Sequence, residues 1–266
     1  MRSLRLLIGA VAAAGSIAFA APARALPDPA PCDGCWQPAL KTSWQWQLQG
    51  KIDQSVNAHA FDVDMFETPA ATVKSLHDKG RIAVCYVDAG TWENWRPDAD
   101  EFPAAVKGKS NGWPGERWLD VRALDVLGPI LRKRVATCAA KGFDAIEFDN
   151  VDGYANRTGF PLTGRDQLRF DVWLANQAHR HGLAVALKND LGQVGKLLAY
   201  FDFALDEQCF QYHECFHLKP FVDAGKAVFE VEYSLDPPDF CPRANAMNFN
   251  SMKKHLSLKA WRHPCR

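Results

Sequence analysis

From residue 143 to residue 149 the side chains alternate, with Ile146 and Phe148 on one face and Ala145, Glu147 and Asp149 on the other. The pattern predicts a strand with one apolar face, followed by a loop at Asn150-Val151-Asp152-Gly153. A carboxylate therefore stands where a strand stops. Comparable segments span residues 43–48, 58–64, 81–88, 183–189, 201–207 and 227–233. Helical spacing separates them: residues 68–79 begin at Thr68-Pro69 and stop at Gly80, and residues 125–141 place Val126, Ile130, Leu131, Val135 and Cys138 on one side before Gly142. Residues 164–181 form a third helix, and residues 193–199 and 218–225 are weaker ones. A last helix is expected over residues 239–256, with the short run 258–261 closing the structure. Strand and helix in alternation are the mark of parallel βαβ units, so the fold class is α/β and the expected architecture is a single (β/α)8 TIM-like barrel over residues 43–266.

Residues 26–42, with four prolines and the Cys32-Asp33-Gly34-Cys35 turn, are expected to be an irregular lead-in. Residues 1–25 carry Arg2 and Arg5 ahead of an apolar run and end in Ala23-Arg24-Ala25, the pattern of a cleaved signal peptide. No later segment is apolar for long enough to span a bilayer. The protein is thus expected to be secreted or periplasmic, and a monomer. The remaining chain, roughly 240 residues, suits one barrel. Its charge is close to balanced, which gives no footprint for a nucleic-acid partner. All eight cysteines lie after the signal, and in an exported chain an even count favours disulfides. The preferred pairs are Cys32–Cys35, Cys209–Cys215 and Cys241–Cys265; Cys85 and Cys138 either form a fourth bond or stay reduced. Zinc held by Cys209, His213, Cys215 and His217 is the alternative for that cluster.

Six strand ends carry charged or amide groups. A chain that needed only a packed core would have little reason to cluster them, because neighbouring carboxylates repel and are costly to desolvate. The chain has no Gly-rich phosphate loop, no G-x-S-x-G elbow and no dinucleotide fingerprint, so no cofactor and no metal are expected. His179-Arg180-His181 resembles a metal-binding H-x-H, but it ends a helix on the far side of a barrel, where surface histidines are the plainer reading. Two carboxylates flanking one bond are the apparatus for breaking a glycosidic linkage. Asp149 and Glu207, at the ends of nearby strands, are the candidate pair. The structural alternatives are a loop-capping Asp149 and a surface Glu207 beside a disulfide loop. Glu147 is expected to orient Asp149 or a lysine, Asp152 to shape its loop, and Lys188 to neutralise the acid pair, bond to sugar hydroxyls or form a plain salt bridge. The insert at residues 91–121 holds Trp92, Trp95, Trp113 and Trp118. They either pack the loop or stack on sugars; Trp92 and Trp113 are favoured as stackers over Trp118, which falls in a short strand.

Several stretches resemble the exported endo-α-1,4-polygalactosaminidases, glycoside hydrolase family 114: Trp46-Gln47-Leu48-Gln49-Gly50, Phe61-Asp62-Val63-Asp64, Cys85-Tyr86-Val87-Asp88-Ala89-Gly90-Thr91-Trp92-Glu93, Trp95-Arg96-Pro97, Trp118-Leu119-Asp120-Val121-Arg122, residues 142–154, Ala186-Leu187-Lys188-Asn189, Glu207-Gln208-Cys209 and Glu232-Tyr233. The resemblance implies a barrel that cuts α-1,4-linked galactosamine polymers, with Asp149 as nucleophile and Glu207 as acid/base. The substrate-binding set expected around them is Asp64, Tyr86, Asp88, Trp92, Asp120, Glu147, Asp152, Lys188, Asn189, Glu232 and Tyr233. A mouth ringed by Asp62, Asp64, Asp88, Asp120 and Glu232 would attract a cationic amino sugar. A non-catalytic carbohydrate-binding barrel, or a hydrolase of another α-linked sugar such as an α-galactoside, is the rival reading.

Overall fold

The computed structural model describes residues 25–266; the expected export signal lies outside the described residues, Ala25 apart. Eight strands run parallel in sequence order: β1 Trp44–Gln47, β2 Ala60–Asp64, β3 Ile82–Asp88, β4 Ala145–Asp149, β5 Ala184–Lys188, β6 Phe203–Glu207, β7 Val228–Glu232 and β8 Asn250–Lys253. Six helices join them: α1 Ala70–His77, α2 Leu124–Lys141, α3 Gly164–Arg180, α4 Val194–Leu197, α5 Lys219–Asp223 and α6 Pro237–Ala246. This is the TIM-like α/β barrel that strand–helix alternation implies, with all strand C-termini at one face. Among the described residues no helix is long and apolar enough to cross a membrane.

Alternation along each strand divides the core into two layers. Phe61, Val63, Cys85, Val87, Ile146, Phe148, Val185 and Leu187 point outward onto Val73, Leu131, Val135, Phe170 and Leu174 of the helices. Pointing inward, the small residues Ala60, Ala145, Ala184 and Ala186 leave room for Trp44, Trp46, Phe203 and Phe229. Trp44 stacks on Phe229 at 4.6 Å, and Trp36 of the lead-in meets Phe203 edge-on at 5.6 Å, covering the barrel's N-terminal end. His179 joins the same end rather than the surface: it is buried, it contacts Asp202 at 2.9 Å and its other ring nitrogen faces the Ala30 carbonyl.

All eight cysteines pair, as Cys32–Cys35, Cys85–Cys138, Cys209–Cys215 and Cys241–Cys265. The fourth bond, between β3 and α2, therefore forms, and the zinc alternative for Cys209 and Cys215 falls. Two expectations about elements are corrected. The 91–121 insert is not structureless: Thr91–Glu93 pairs antiparallel with Glu116–Trp118 in a ribbon standing over the barrel mouth. The helix expected over residues 239–256 ends at Ala246, because Asn248 adopts a left-handed conformation (φ 59°) and the chain turns into β8. No backbone ladder joins β8 to β1. The Trp44 indole donates across the seam to the Asn250 carbonyl of β8 (2.7 Å), and residues 254–264 fill the rest: the Leu48 amide donates to the Leu258 carbonyl (3.0 Å) and the Gln45 amide side chain to the Ala260 carbonyl (2.6 Å), while His263-Pro264 pairs antiparallel with β8.

Candidate active site

A cleft of about 530 Å³ opens at the C-terminal face. Its floor is set by parity: Asp149, Lys188 and Glu207 each end a strand on the face that carries Ala145, Ala186 and Leu205 into the barrel. Lys188 is the hub. Its Nζ lies 2.7 Å from Asp149 Oδ1, 2.9 Å from Glu207 Oε2 and 3.7 Å from Glu147 Oε1. Since one nitrogen touches both rim carboxylates, their near oxygens are at most the sum of those contacts apart, roughly 5.6 Å. The lysine is 2% exposed, whereas Asp149 and Glu207 are 18% and 26% exposed, so the acids face the cleft and the cation lies beneath them.

Each acid has its own donors. Asp149 accepts from the Tyr86 hydroxyl (2.8 Å), from Lys188 and from the Asn150 amide (2.8 Å). Burial pushes its carboxyl up, but Lys188, Tyr86 and the Asn150 amide outweigh it and hold the group below the ordinary carboxylate range. Glu207 accepts from the Tyr233 hydroxyl and from the Asn189 side chain (3.4 Å), and its own amide donates back to Asn189 Oδ1 (3.1 Å). Burial opposes the charge on Lys188 too, yet Asp149, Glu207 and Glu147 together keep it protonated.

The residues that follow the three floor positions, Asn150, Asn189 and Gln208, all have positive φ (60°, 51° and 64°). Such conformations are uncommon in non-glycine residues and concentrate at functional loops. They turn the chain sharply off each strand and leave the strand's last side chain facing the cleft. Gly90 serves the same corner: a Cβ there would lie 1.7 Å from the Asn150 carbonyl oxygen, and the Ala89 and Gly90 amides donate to the Asp149 carbonyl. Only glycine allows the end of β3 to approach β4 so closely.

One layer deeper, Asp62 and Glu147 are buried with no donor for their carboxyl oxygens. Burial pushes Asp62 up to about 8 and, with Asp62 beside it, raises Glu147 well above its usual range. Both acids therefore keep their protons where an exposed carboxyl would lose them. On the cleft wall Arg96 holds Asp64 (2.7 Å) and Glu93 (2.6 Å). Trp95 and Trp113, about half exposed, stand on the ribbon side.

Asp64, Tyr86, Asp149, Asp152, Lys188, Asn189, Glu207 and Tyr233 thus meet in one cleft, with Glu147 just below. Four other expected binders do not line it. Glu232 lies on the outer face of β7, because Phe229 and Val231 take the inner one, and it accepts the Phe210 and Gln211 amides. Asp88 is buried at the base of the ribbon and accepts from Thr91 and Asn150. Asp120 is clamped by Arg122, and Trp92 donates its indole N–H to the Ala99 carbonyl beneath the Lys107 ammonium. The expected ring of acids at the mouth is corrected accordingly: Asp62, Asp64, Asp88 and Glu232 are buried. Glu67, Glu93, Arg96 and Glu116 also line the cleft without having been expected there; Glu93 and Arg96 stood in the family-like motifs and Glu116 in the Trp-rich insert, while nothing in the sequence marked Glu67, just past β2. Asp88, Glu93 and Glu116 come close enough to hold a cation, but Thr91, Arg96 and Asn111 already supply their donors.

A family model described as glycoside-hydrolase family GH114 matches residues 27–266. The chain belongs to family GH114. It is a glycoside hydrolase. Among solved structures, this GH114 chain is similar to Aspergillus fumigatus Ega3 in complex with galactosamine, with TM-score 0.85 and 34% identity over 90% of this chain and 100% of that one. It also matches the glycoside hydrolase domain of PelA from Pseudomonas aeruginosa at TM-score 0.69 and 15% identity, over 83% of this chain and 97% of that one, a likeness of fold. No curated protein matches the sequence.

Proposed function

We propose that this GH114 enzyme hydrolyses α-1,4-linked galactosamine polymers by a retaining mechanism, with Asp149 as nucleophile and Glu207 as acid/base. The observation that carries the reading is the single Lys188 ammonium bonded to both carboxylates, which keeps their near oxygens within roughly 5.6 Å of each other, short of the separation of about 6.5–9.5 Å that inversion uses and compatible with the about 5–5.5 Å of retention. The environments divide the work. Asp149, saturated with donors and kept ionised, attacks the anomeric carbon as Glu207 protonates the departing glycosidic oxygen. The product is a glycosyl ester on Asp149. Glu207, now a carboxylate, takes a proton from water, whose oxygen attacks the same carbon and releases Asp149.

The substrate class is supported by likeness to Ega3, whose structure holds galactosamine, and by charge. Glu67, Glu93, Glu116, Asp64 and Asp152 line the cleft, while its two cations, Arg96 and Lys188, are engaged with carboxylates. A sugar with a free amine would enter a negative field. Four disulfides and the pattern of residues 1–25 support export, to the periplasm or beyond. Asp149→Asn and Glu207→Gln should each fold and fail to release reducing ends from an α-1,4-galactosamine polymer, and the wild-type product should carry the substrate's anomeric configuration by NMR. Turnover like the wild type in either variant would refute its role. Cleavage of α-galactosides with the amine polymer left intact would refute the substrate.

A further inference from the structure

The catalytic cleft does not end at Glu207. A recess of about 380 Å³ opens between the loops that follow β4, β5 and β6, and it shares Asp152, Asn189 and Glu207 with the cleft as lining. Asp149, Lys188, Trp95 and Trp113 line the cleft alone, so the recess lies beyond Glu207 as seen from Asp149. Glu207 is the one member of the catalytic pair that borders both spaces. The recess is acidic throughout: Asp190, Asp206 and Glu214 join Asp152 and Glu207 around it, and among the described residues no lysine, arginine or histidine lines it. Two of these acids also lack partners. Asp190 is 4% exposed with no donor for either carboxyl oxygen, and Asp206 is 1% exposed with none for Oδ1. The groups packed on Asp190 are Tyr154, Asp152 and Asp171, so no cation balances it, and burial pushes its carboxyl up to about 7. A buried carboxyl without a partner is costly, and an incoming cation would relieve that cost. At the open side of the recess stands the exposed ring of Tyr212.

We infer that this recess is the leaving-group subsite of the enzyme: it holds the galactosamine unit that departs with the glycosidic oxygen, with that unit's free ammonium meeting the Asp190 carboxyl. The inference rests on the substrate and the residue roles proposed above. With Asp149 attacking from the cleft and Glu207 protonating the departing oxygen, the sugar on that oxygen lies beyond Glu207, where the recess is. An ammonium brings three donors to a wall that offers acceptors without partners. Asp206 and the half-buried Glu214 add negative charge around it, and the Tyr212 ring gives the C–H face of the pyranose an apolar platform.

The test compares Asp190→Asn with the wild type on two substrates: the free-amine α-1,4-galactosamine polymer, and a nitrophenyl α-glycoside of a galactosamine trisaccharide, whose departing group is a phenol with no amine. Asn has the shape of Asp and tolerates the positive φ of 42° at this position, so the loop is kept while the charge is lost. The expected result is a roughly tenfold fall in kcat/KM on the polymer, equivalent to about 1.4 kcal/mol, with the nitrophenyl substrate cleaved as before. Glu214→Gln should lower kcat/KM on the polymer in the same direction by a smaller factor, and it decides in place of Asp190→Asn if circular dichroism shows the latter unfolded. Polymer kinetics like those of the wild type in the deciding variant overturn the inference and leave the function reading standing. Equal losses on the two substrates also overturn it, since they report a disturbed Glu207. Failure of the wild type to cleave the polymer would sink the substrate reading and this inference with it.

Discussion

Lys188→Met removes the cation at the centre of the cleft floor while keeping an unbranched stem in the barrel interior. In the native structure Nζ lies 2.7 Å from Asp149 and 2.9 Å from Glu207, so the near oxygens of the two carboxylates are no more than roughly 5.6 Å apart. At an effective dielectric of about 20, two like charges at that distance repel by about 3 kcal/mol, roughly a hundredfold in an ionisation equilibrium. A like charge disfavours the ionised form, and the attraction of Lys188 that opposes burial at Asp149 is lost as well. The repulsion is already present in the wild type, where Lys188 offsets it, and losing Lys188 leaves it unopposed. Asp149 takes up its proton at higher pH, and a protonated nucleophile cannot attack. The acidic limb of kcat/KM, which reports the free enzyme, should therefore move upward by about two pH units, while activity on the alkaline side falls less. Removing one partner of a buried ion pair also destabilises folds by about 3–5 kcal/mol. The assay is thus a pH profile taken well below the variant's melting temperature, with circular dichroism as the control. A folded Lys188→Met enzyme whose acidic limb coincides with that of the wild type would show that Lys188 does not set the charge of the pair.

Two further outcomes follow from groups outside the rim. Asp62 ionises near 3.8 in an unfolded chain and at about 8 in the barrel, so the stability it contributes is full below about pH 4 and is lost as the pH rises toward 8; Asp62→Asn should flatten that decline in denaturation midpoints measured at about pH 5 and about pH 9, and an unchanged slope would refute the raised ionisation of Asp62. The Cys85–Cys138 bond spans a separation of 53 residues, and closing a loop of that length stabilises by about 4 kcal/mol in the chain-entropy account; Cys85→Ala with Cys138→Ala should lower the melting temperature by several degrees, and a double variant that melts like the wild type would show that the bond carries no stability.

Parity explains what the sequence could and could not reveal. In β4, β5 and β6 the last polar residue shares a face with small or apolar inward residues, so reading the alternation was enough to bring Asp149, Lys188 and Glu207 to one opening. In β7 the same reading misled: Glu230 and Glu232 share a face, but Phe229 and Val231 on the other face are what the barrel interior needs. Nothing local decides between two such faces; packing against Trp44 and Trp36 does. Trp92 and Trp95 differ for a similar reason. The ribbon register, Trp92 opposite Arg117, directs one indole toward Ala99 and leaves its neighbour at the mouth.

The strand that was missed has the largest functional consequence. Asn250-Ser251-Met252-Lys253 is short and polar and lacks β-branched residues, so its strand character comes from its register on β7 rather than from its own composition. A helix continued through residue 256 would have carried Leu256 and Leu258 to the outside of the barrel. Instead the chain enters the sheet at Asn250, leaves it at the catalytic face, and returns through the open seam beside β1. Leu256 and Leu258 line the cleft because the barrel is closed by this segment and not by a β8–β1 ladder. Barrel closure and one wall of the cleft are therefore built from the same segment, and changes that loosen the seam, at Gln45 or Arg262, act on that wall as well as on stability.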